Sequence, residues 1–254
     1  MKLALIGKNI SHSYSLKLHR LLKEFYQLKL SYQILDLKAD EIEGFLNGGK
    51  YQGYNVTTPY KEEVIPYLDR LEGVAKELNV VNTIVYKDGK KLGYNTDYEA
   101  LKAVVDNLEI SGKEVFVLGT GGSAKMVAYL FDLKGYQVTM VSRNKNNKKH
   151  FKNVIDYQDL SKINYLNTVV NATPIGSVSF LKNPLLKSKQ EIDLVIDLVY
   201  NPPLTPLMKS AKRSVNGLEM LIRQAIYSES LWFNKVLKSD QKTIQYIKEV
   251  LINE

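Results

Sequence analysis

Short apolar runs alternate along the chain with segments whose apolar residues recur at helical spacing, the pattern of an α/β protein. Leu3–Ile6 is a compact apolar run that ends at Gly7, so it predicts a buried strand. An amphipathic helix follows, with its apolar face running from Leu18 to Tyr26. The other elements predicted for this half are a strand over Tyr32–Leu37, a short helix over Ala39–Leu46, a strand over Tyr54–Val56, and a hairpin of Thr83–Tyr86 and Lys91–Tyr94.

The pattern changes after about residue 101, so two domains with a boundary near residues 98–112 are expected. Four strands and a helix follow there with the spacing of βαβ units, which predicts a parallel sheet. The elements are strands at Glu114–Leu118, Gln137–Ser142, Thr168–Asn171 and Leu194–Val199, with a helix through Leu133. Two helices complete the chain: the first covers Leu218–Phe233, and the second follows Ser239 as its N-cap.

Composition narrows the function classes. The 254 residues include no cysteine, which excludes disulfide scaffolds, thiolate metal sites and a cysteine nucleophile. The net charge of +8 fits a nucleic acid, an anionic membrane surface or an anionic small molecule as partner, and the default interpretation is a lysine-rich solvated surface. The first apolar run breaks at Gly7, too early for a signal peptide, and no run is long enough to span a membrane. A cytoplasmic protein is therefore expected.

A glycine-rich loop lies between a predicted strand and a predicted helix. Gly119-x-Gly121-x-x-Ala124 has the form of a dinucleotide-binding turn, whose backbone N–H groups approach a pyrophosphate at a helix N-terminus. Turns are rich in glycine in any case, so a purely structural turn is the alternative. The strand before it and the helix after it favour nucleotide binding.

The next strand bears on which dinucleotide is used. An NAD site places an acid at its end to hold the ribose 2′-hydroxyl, whereas this strand ends in Ser142, Arg143, Asn144 and Lys145. Arg143 can stack on adenine and pair with a 2′-phosphate, which favours NADP. The alternative is that Arg143 is one surface cation among many.

Lys61 and Asp97 are the best candidates for acid–base chemistry in the first half. A lysine beside an aspartate can protonate an oxygen anion formed by hydride addition, although any Lys and Asp of this chain could equally be solvated. Small hydrogen-bonding residues at strand ends suit a hydroxylated carboxylate ligand, with turn and cap chemistry as the alternative. They are Ser13, Ser15, Asn55, Thr57 and Asn82. The histidines, His12, His19 and His150, lack metal-ligand spacing and are expected on the surface or in packing, so no metal is expected.

Together these segments resemble the shikimate dehydrogenase family, nearly from end to end. Seven motifs occur in the family's order: His12-Ser-Tyr-Ser15, Asn55-Val-Thr-Thr-Pro-Tyr-Lys61, Val81-Asn-Thr83 with Gly93-Tyr-Asn-Thr-Asp97, Gly119-Thr-Gly-Gly-Ser-Ala124, Asn171-Ala-Thr-Pro-Ile-Gly176, Asp197-Leu-Val-Tyr200 and Gly217-Leu-Glu-Met-Leu-Ile-Arg-Gln224. The resemblance implies an N-terminal α/β substrate-binding domain over residues 1–101, completed by 219–254. It also implies a Rossmann-type NADP-binding domain with a doubly wound parallel sheet over residues 102–218.

The implied reaction is the reversible NADPH-dependent reduction of 3-dehydroshikimate to shikimate in aromatic amino acid biosynthesis. By resemblance, Lys61 is the proton donor and Asp97 is its partner. The implied substrate-binding residues are Ser13, Ser15, Asn55, Thr57, Asn82, Asp97, Tyr200 and Gln224. The implied NADP-binding residues are Gly119, Thr120, Gly121, Gly122, Ser123, Ala124, Ser142, Arg143, Asn144, Lys145, Thr173, Leu198 and Gly217. The expected partner is the small-molecule substrate, with no nucleic acid and no membrane, in a monomer or a homodimer.

Four departures from the family's pattern stand at binding loops, the first being Lys8-Asn9 in place of the usual Asn-Pro. Leu16 replaces the usual proline after the second serine, and Ser142 and Asn144 replace an asparagine and a threonine around Arg143. Two alternatives remain open at this stage. One is a quinate/shikimate dehydrogenase with broader cofactor use, and the other is a noncatalytic relative that binds a metabolite.

Overall fold

The chain folds as two compact units. A computed structural model describes residues 1–11, 13–144, 151–180, 186 and 190–253. The first unit consists of Met1–Ala100 and Leu221–Glu254, and the second of Leu101–Met220. His12, Lys145 and His150 lie outside the described residues. The assignment of substrate to one unit and NADP to the other stays a prediction.

The first unit is built on a six-stranded mixed sheet. In chain order its elements are β1 (Lys2–Gly7), α1 (Ser15–Phe25), β2 (Ser31–Asp36), α2 (Ile42–Asn47), β3 (Gly53–Val56), β4 (Arg70–Leu71), α3 (Ala75–Leu78), β5 (Thr83–Lys87), β6 (Lys90–Tyr94) and α4 (Thr96–Asp106), the last of which continues into the second unit. The strand order is β2-β1-β3-β5-β6-β4. β1 pairs in parallel with both β2 and β3, whereas β5 runs antiparallel to β3 and β6. This reversal brings the open end of the β5–β6 hairpin to the carboxyl end of β3, where Asn55 pairs with Thr83 and Thr83 pairs with Tyr94.

The local chemistry explains these elements. β1 is buried along five of its six residues, as expected for a strand covered on both faces. The turn between β5 and β6 consists of Asp88 at φ 50° and Gly89 at φ 73°, both in the left-handed region. That geometry matches a type I′ turn, whose twist suits a hairpin and which Asp-Gly favours. The predicted hairpin is therefore confirmed.

The second unit contains a six-stranded parallel sheet. Its elements are β7 (Glu114–Leu118), α5 (Gly122–Leu133), β8 (Gln137–Val141), β9 (Val154–Ile155), α6 (Tyr157–Leu160), β10 (Tyr165–Asn171), β11 (Glu191–Asp197), α7 (Pro206–Lys209) and β12 (Ala211–Asn216); α8 (Leu218–Trp232) leads back to the first unit, which ends with α9 (Gln241–Asn253). The strand order is β12-β11-β10-β7-β8-β9, and every pairing is parallel. This is the doubly wound order of a Rossmann-type sheet, so the predicted fold class is confirmed.

Two features differ from the sequence-based expectations. The N-cap of α9 is Asp240, whose Oδ1 accepts from the N–H of Thr243 at 2.9 Å, so the prediction of Ser239 was wrong. The carbonyl of Ser239 instead accepts from Arg223 at 2.8 Å. The strand β12 was not predicted, because its sequence, Ala-Lys-Arg-Ser-Val-Asn, lacks an apolar run and the strand is only partly buried. Within the described ranges, no helix combines the length and apolar character needed to cross a membrane.

Candidate active site

The candidate residues of the first unit gather at one edge of its sheet. β1 and β3 are parallel, so their carboxyl ends meet at this edge. The antiparallel pairing of Asn55 with Thr83, and of Thr83 with Tyr94, brings the start of β5 and the end of β6 to the same edge. Ser13 and Ser15 follow β1, Thr57 and Lys61 follow β3, Asn82 precedes β5, and Asp97 follows β6. Residues far apart in sequence are thus placed in one region by register alone.

Lys61 and Asp97 form a direct ion pair at this edge. Lys61 Nζ lies 2.5 Å from Asp97 Oδ2, and the side chains are only 17% and 14% exposed. The carbonyl of Lys61 accepts from the N–H of Val81 at 2.8 Å, which anchors the segment after β3. Asp97 lies in the first turn of α4, where the helix dipole favours a carboxylate. An ammonium group held in this way is oriented to donate a proton.

Ser13 and Ser15 place two hydroxyl groups at the N-terminus of α1. Ser13 Oγ donates to Ser15 Oγ at 3.0 Å and accepts from the N–H of Ser15 at 3.2 Å. The first turn of α1 contains no acidic residue. Hydroxyl donors beside the positive end of a helix suit an anion such as a carboxylate.

Two other polar candidates of this unit, Asn82 and Thr57, also lie at strand ends, whereas Gln224 lies on a helix. Asn82 is 3% exposed, and its side chain bonds to Thr96, with Oδ1 accepting from N–H at 2.7 Å and Nδ2 donating to Oγ1 at 3.0 Å. Thr57 follows β3 and donates its N–H to the carbonyl of Ile6 at 2.9 Å. A Cβ on Gly7 would lie 2.6 Å from Thr57 Cγ2, so the glycine allows this close approach. Gln224, on α8, is buried and donates to the carbonyl of Leu221 at 2.9 Å.

In the second unit, the glycine-rich loop joins β7 to the N-terminus of α5. The strand order reverses between β7 and β10, which is where doubly wound sheets bind their ligands. Gly119 has φ +107°, a conformation that glycine adopts without strain. Gly121 is the N-cap of α5, and a Cβ built on it would meet nothing within 4 Å. The loop thus fits a dinucleotide, because it leaves open space beside free helix N–H groups for a pyrophosphate.

Arg143 follows β8 and is exposed to solvent. Its neighbour Ser142 donates its N–H to the carbonyl of Ile155 at 3.0 Å, which fixes the end of the strand. Burial raises the pKa of Tyr157, and the positive charge of Arg143 opposes that rise. Across the described residues, Arg143 has no ion-pair partner, so its guanidinium is available to an anion. Lys145, the other predicted cation, lies outside the described residues.

Comparisons with known proteins match this arrangement. A family model for the shikimate dehydrogenase substrate binding domain matches residues 5–84. A relative from Clostridium perfringens, named shikimate dehydrogenase (NADP(+)), is 35% identical over 99% of this chain and 98% of its own. The chain belongs to the shikimate dehydrogenase family. A protein of the same name from Saccharolobus islandicus is 38% identical over 96% of this chain and 93% of its own. The crystal structure of shikimate dehydrogenase 1 from Peptoclostridium difficile has 32% identity, a TM-score of 0.88, and coverage of 98% of this chain and 97% of that one.

Membership of the shikimate dehydrogenase family confirms the resemblance that the seven motifs carried. The protein is an oxidoreductase, and the NADP-dependent class predicted from Arg143 is confirmed by the names of its relatives. The quinate and noncatalytic alternatives are not favoured by these comparisons. The roles assigned to individual site residues stay predictions.

Sequence reasoning did not assign a buried polar cluster at the end of β10 and β11. Asp197 is fully buried and accepts from Thr205 Oγ1 at 2.6 Å and from Asn171 Nδ2 at 2.8 Å. Burial raises the pKa of Asp197, and the hydrogen bonds from Thr205, Val199 N–H and Asn171 oppose that rise. Asn171 Oδ1 in turn accepts from both Thr173 N–H and Thr173 Oγ1. The cluster therefore holds the loop of Thr173, and polar residues at the ends of apolar strands were its sequence signal.

Two other members of the predicted NADP set meet through their backbones. A Cβ on Gly217 would lie 2.2 Å from the carbonyl oxygen of Leu198, so only glycine allows this approach. Tyr200 follows β11, three residues after Asp197.

No group of three His, Cys, Asp or Glu side chains that could hold a metal ion occurs in the part of the chain that the structure describes.

Two residues of the first unit have surroundings that the sequence did not indicate. His19 is fully buried, in agreement with the packing role expected for it, but both of its ring nitrogens have polar partners. Asn55 is 5% exposed, and its amide contacts five protein groups. Direct contact between Asn55 and a substrate stays a prediction.

Proposed function

We propose that the chain catalyses the reversible NADPH-dependent reduction of 3-dehydroshikimate to shikimate. The observation that carries this proposal is the Lys61–Asp97 ion pair, which is largely buried at the edge where the other candidate side chains of the first unit gather. Family membership supplies the substrate and cofactor class.

The chemistry proposed for the pair is general acid–base catalysis. When bound, NADPH supplies a hydride to the carbonyl carbon. Lys61 Nζ donates a proton to the carbonyl oxygen, so that no free alkoxide has to form. Asp97 accepts a hydrogen bond from the same ammonium group at 2.5 Å, which restricts its orientation. In the reverse direction, Lys61 takes the proton of the substrate hydroxyl.

The remaining polar candidates are proposed to orient the substrate. Ser13 and Ser15, at the N-terminus of α1, hold the carboxylate, with Tyr200 assisting by resemblance to the family. Asn55, Thr57, Asn82, Asp97 and Gln224 are assigned to the ring hydroxyls on the same ground. One of the two Nδ2 hydrogens of Asn82 is used by Thr96, which leaves the second one for a ligand.

NADP is assigned to the second unit. We propose that the loop from Gly119 to Ala124 binds the pyrophosphate at the N-terminus of α5, and that Arg143 holds the 2′-phosphate. Ser142, Asn144 and Lys145 flank that phosphate. Thr173, Leu198 and Gly217 lie in the loops after β10, β11 and β12, which are assigned to the nicotinamide end.

The proposal predicts a specific spectrophotometric result. Purified protein mixed with shikimate and NADP is expected to raise the absorbance at the nicotinamide band, and NAD in place of NADP is expected to give a much lower rate. Lys61→Ala protein is the matched control, because it retains both proposed binding surfaces. Equal rates with NAD and NADP would contradict the cofactor assignment, and no reaction with either would contradict the proposed activity.

A second prediction concerns which carboxylic acid the site accepts as substrate. Quinate carries an additional hydroxyl on the carbon that bears the carboxylate, so it needs more room beside Ser13 and Ser15. A site lined with hydrogen-bonding groups discriminates strongly between such ligands. We expect good activity with shikimate and little with quinate. We also expect Ser15→Ala to raise the KM for shikimate more than it lowers kcat, because the carboxylate lies away from the reacting carbon.

Steady-state kinetics on both acids measures this discrimination. Comparable kcat/KM values for quinate and shikimate would replace the narrow assignment by the dual-substrate one. Leu16 is the residue to examine in that case, because it stands where the family has a proline and a looser loop admits a bulkier acid. Ser111→Ala is a matched control: its hydroxyl bonds to Asp193 in the second unit, far in the sequence from the serine pair.

The wider setting is proposed from the family alone. The partners are the small-molecule substrate and NADP, without nucleic acid or a membrane, in a monomer or a homodimer. The proposed location is the cytoplasm, and the proposed pathway is aromatic amino acid biosynthesis.

A further inference from the structure

A buried His–Glu pair lies behind the candidate substrate site. His19 is on α1, one helical turn after Ser15, and Glu229 is on α8. Both side chains are 0% exposed, and His19 Nδ1 lies 2.9 Å from Glu229 Oε1. The imidazole ring stacks on Tyr32 with 4.0 Å between ring centroids. Burying two ionisable groups costs more free energy than filling the space with apolar side chains, so packing alone does not account for the pair.

The orientation of Asn55 determines which nitrogen of His19 carries hydrogen. Asn55 Nδ2 lies 3.3 Å from the carbonyl oxygen of Asn82, which can only accept, so that end of the amide must be the donor. Asn55 Oδ1 therefore faces Tyr32 Oη at 2.7 Å and His19 Nε2 at 3.2 Å. Because Oδ1 can only accept, His19 Nε2 must carry a hydrogen.

The charge state of the pair follows from the same argument. With Nε2 protonated, one further proton is shared between His19 Nδ1 and Glu229 Oε1, as an ion pair or as neutral imidazole and carboxylic acid. Either way the net charge is zero. Burial raises the pKa of Glu229, and the hydrogen bond and positive charge of His19 oppose that rise. Burial also raises the pKa of Tyr32. The pKa of Tyr26 is raised by burial and by the negative charges of Glu229 and Asp240. Both tyrosines therefore stay neutral.

The Asn55 amide contacts a group of three mutually bonded hydroxyls, those of Thr83, Thr96 and Ser228, which we call the hydroxyl cluster. Asn55 Nδ2 donates to Ser228 Oγ at 3.0 Å and to Thr83 Oγ1 at 3.2 Å. The three hydroxyl oxygens lie 2.8–3.1 Å from one another. Ser228 Oγ donates to the carbonyl of Gln224 at 2.9 Å, so its oxygen is left to accept from its neighbours.

The hydroxyl cluster touches the elements that carry the candidate substrate residues. Thr96 directly precedes Asp97, and its N–H donates to Asn82 Oδ1 at 2.7 Å. Ser228 lies one turn after Gln224 on α8. The side chain of Asn55 has no hydrogen-bonding capacity left among the described residues, since two donors meet Oδ1 and three acceptors surround Nδ2.

We propose that His19, held by Glu229, is a positioning residue that fixes the Asn55 amide and, through the hydroxyl cluster, the substrate-binding groups of Asn82, Asp97 and Gln224. The inference deepens the proposed function and rests on it, because its kinetic readout is shikimate turnover. It also changes the role of Asn55, from a contact with the substrate to the centre of a network behind it.

The kinetic test compares variants that remove or retain the donor. His19→Leu removes one of the two donors that meet the Asn55 oxygen and leaves only Tyr32 Oη. Loss of that hydrogen bond loosens the Asn55 amide and predicts a rise of roughly tenfold in the KM for shikimate, with a smaller fall in kcat. The KM for NADP is expected to stay within about twofold, because no described contact of the network involves the second unit. His19→Gln can donate from its amide and is expected to restore part of the loss. Glu229→Gln can donate to Nδ1, retains the Nε2–H form, and is expected to stay close to the wild type.

Leu22→Val is the matched control for packing, because Leu22 lies on the same helix and is also fully buried. It is expected to lower the melting temperature and leave the KM for shikimate unchanged. If His19→Leu behaves in the same way, His19 is only a packing residue and the proposal is overturned.

Nitrogen NMR on the wild-type protein tests the proposal without depending on turnover or on whether a variant folds. The chain contains three histidines, so the resonances of His19 can be assigned by their absence from His19→Gln protein. We expect a proton on Nε2 of His19 that exchanges slowly with solvent, in the wild type and in Glu229→Gln. An unprotonated Nε2 overturns the proposal. Absence of turnover in the wild type would overturn the proposed function while leaving this measurement intact.

Discussion

Lys61→Ala is expected to lower kcat by roughly 10²–10⁴, the usual contribution of a positioned general acid. The reason is that Lys61 Nζ, held 2.5 Å from Asp97, is proposed to deliver its proton only as the hydride arrives. Substrate and NADP are held by other groups, so KM values are expected to change much less. Stopped-flow or steady-state absorbance at the nicotinamide band measures the effect, and circular dichroism checks that the fold is retained.

The Lys102–Asp106 pair provides a matched control. It is also a Lys–Asp ion pair on α4, at 2.8 Å, but its side chains are 48% and 38% exposed. Exposed pairs contribute little, so Lys102→Ala is expected to leave kcat unchanged. Asp97→Asn is expected to be strongly impaired, and the double variant with Lys61→Ala no worse than the worse single one if the two act as a unit. Near-normal turnover of Lys61→Ala would show that another group donates the proton.

The sequence was sufficient for the parts of the fold that local chemistry determines. The apolar run of Leu3–Ile6, the Asp88-Gly89 turn and the strand–glycine–helix order around Gly119 each have a short-range cause, and all three are found in the structure. The meeting of Lys61 and Asp97 is different in kind. It depends on the pairing register of β3, β5 and β6, which no local pattern in either segment specifies.

The network behind the site was beyond sequence reasoning for the same physical reason. His19 and Glu229 are 210 residues apart, and in the sequence alone each is an ordinary polar residue on a predicted helix. Asn55 could be assigned to the substrate by resemblance, but only the structure shows that its amide is surrounded by protein groups. Ser239 illustrates the same limit on a smaller scale, because serine and aspartate are both good N-caps and tertiary contacts decide between neighbours.

Arg143→Ala is expected to raise the KM for NADP far more than the KM for NAD. A charge-assisted bidentate contact with a phosphate is worth about 1.5–3 kcal/mol, which corresponds to roughly one to two powers of ten in affinity. NAD lacks the 2′-phosphate, so only adenine stacking is lost with that cofactor. The measurement is the ratio of kcat/KM for NADP to kcat/KM for NAD, in the wild type and the variant at equal ionic strength.

Arg213→Ala separates this effect from a general loss of positive charge. Arg213 is an exposed arginine of the same parallel sheet, but its guanidinium already pairs with Asp193 at 2.8 Å. Its removal is therefore expected to leave the cofactor ratio unchanged. Lys145 is proposed to share the phosphate, so Arg143→Ala with Lys145→Ala should shift the ratio further than either change alone. Equal weakening toward NADP and NAD in Arg143→Ala would assign the arginine to adenine stacking, and phosphate selection would then have to come from another cation of the loop after β8.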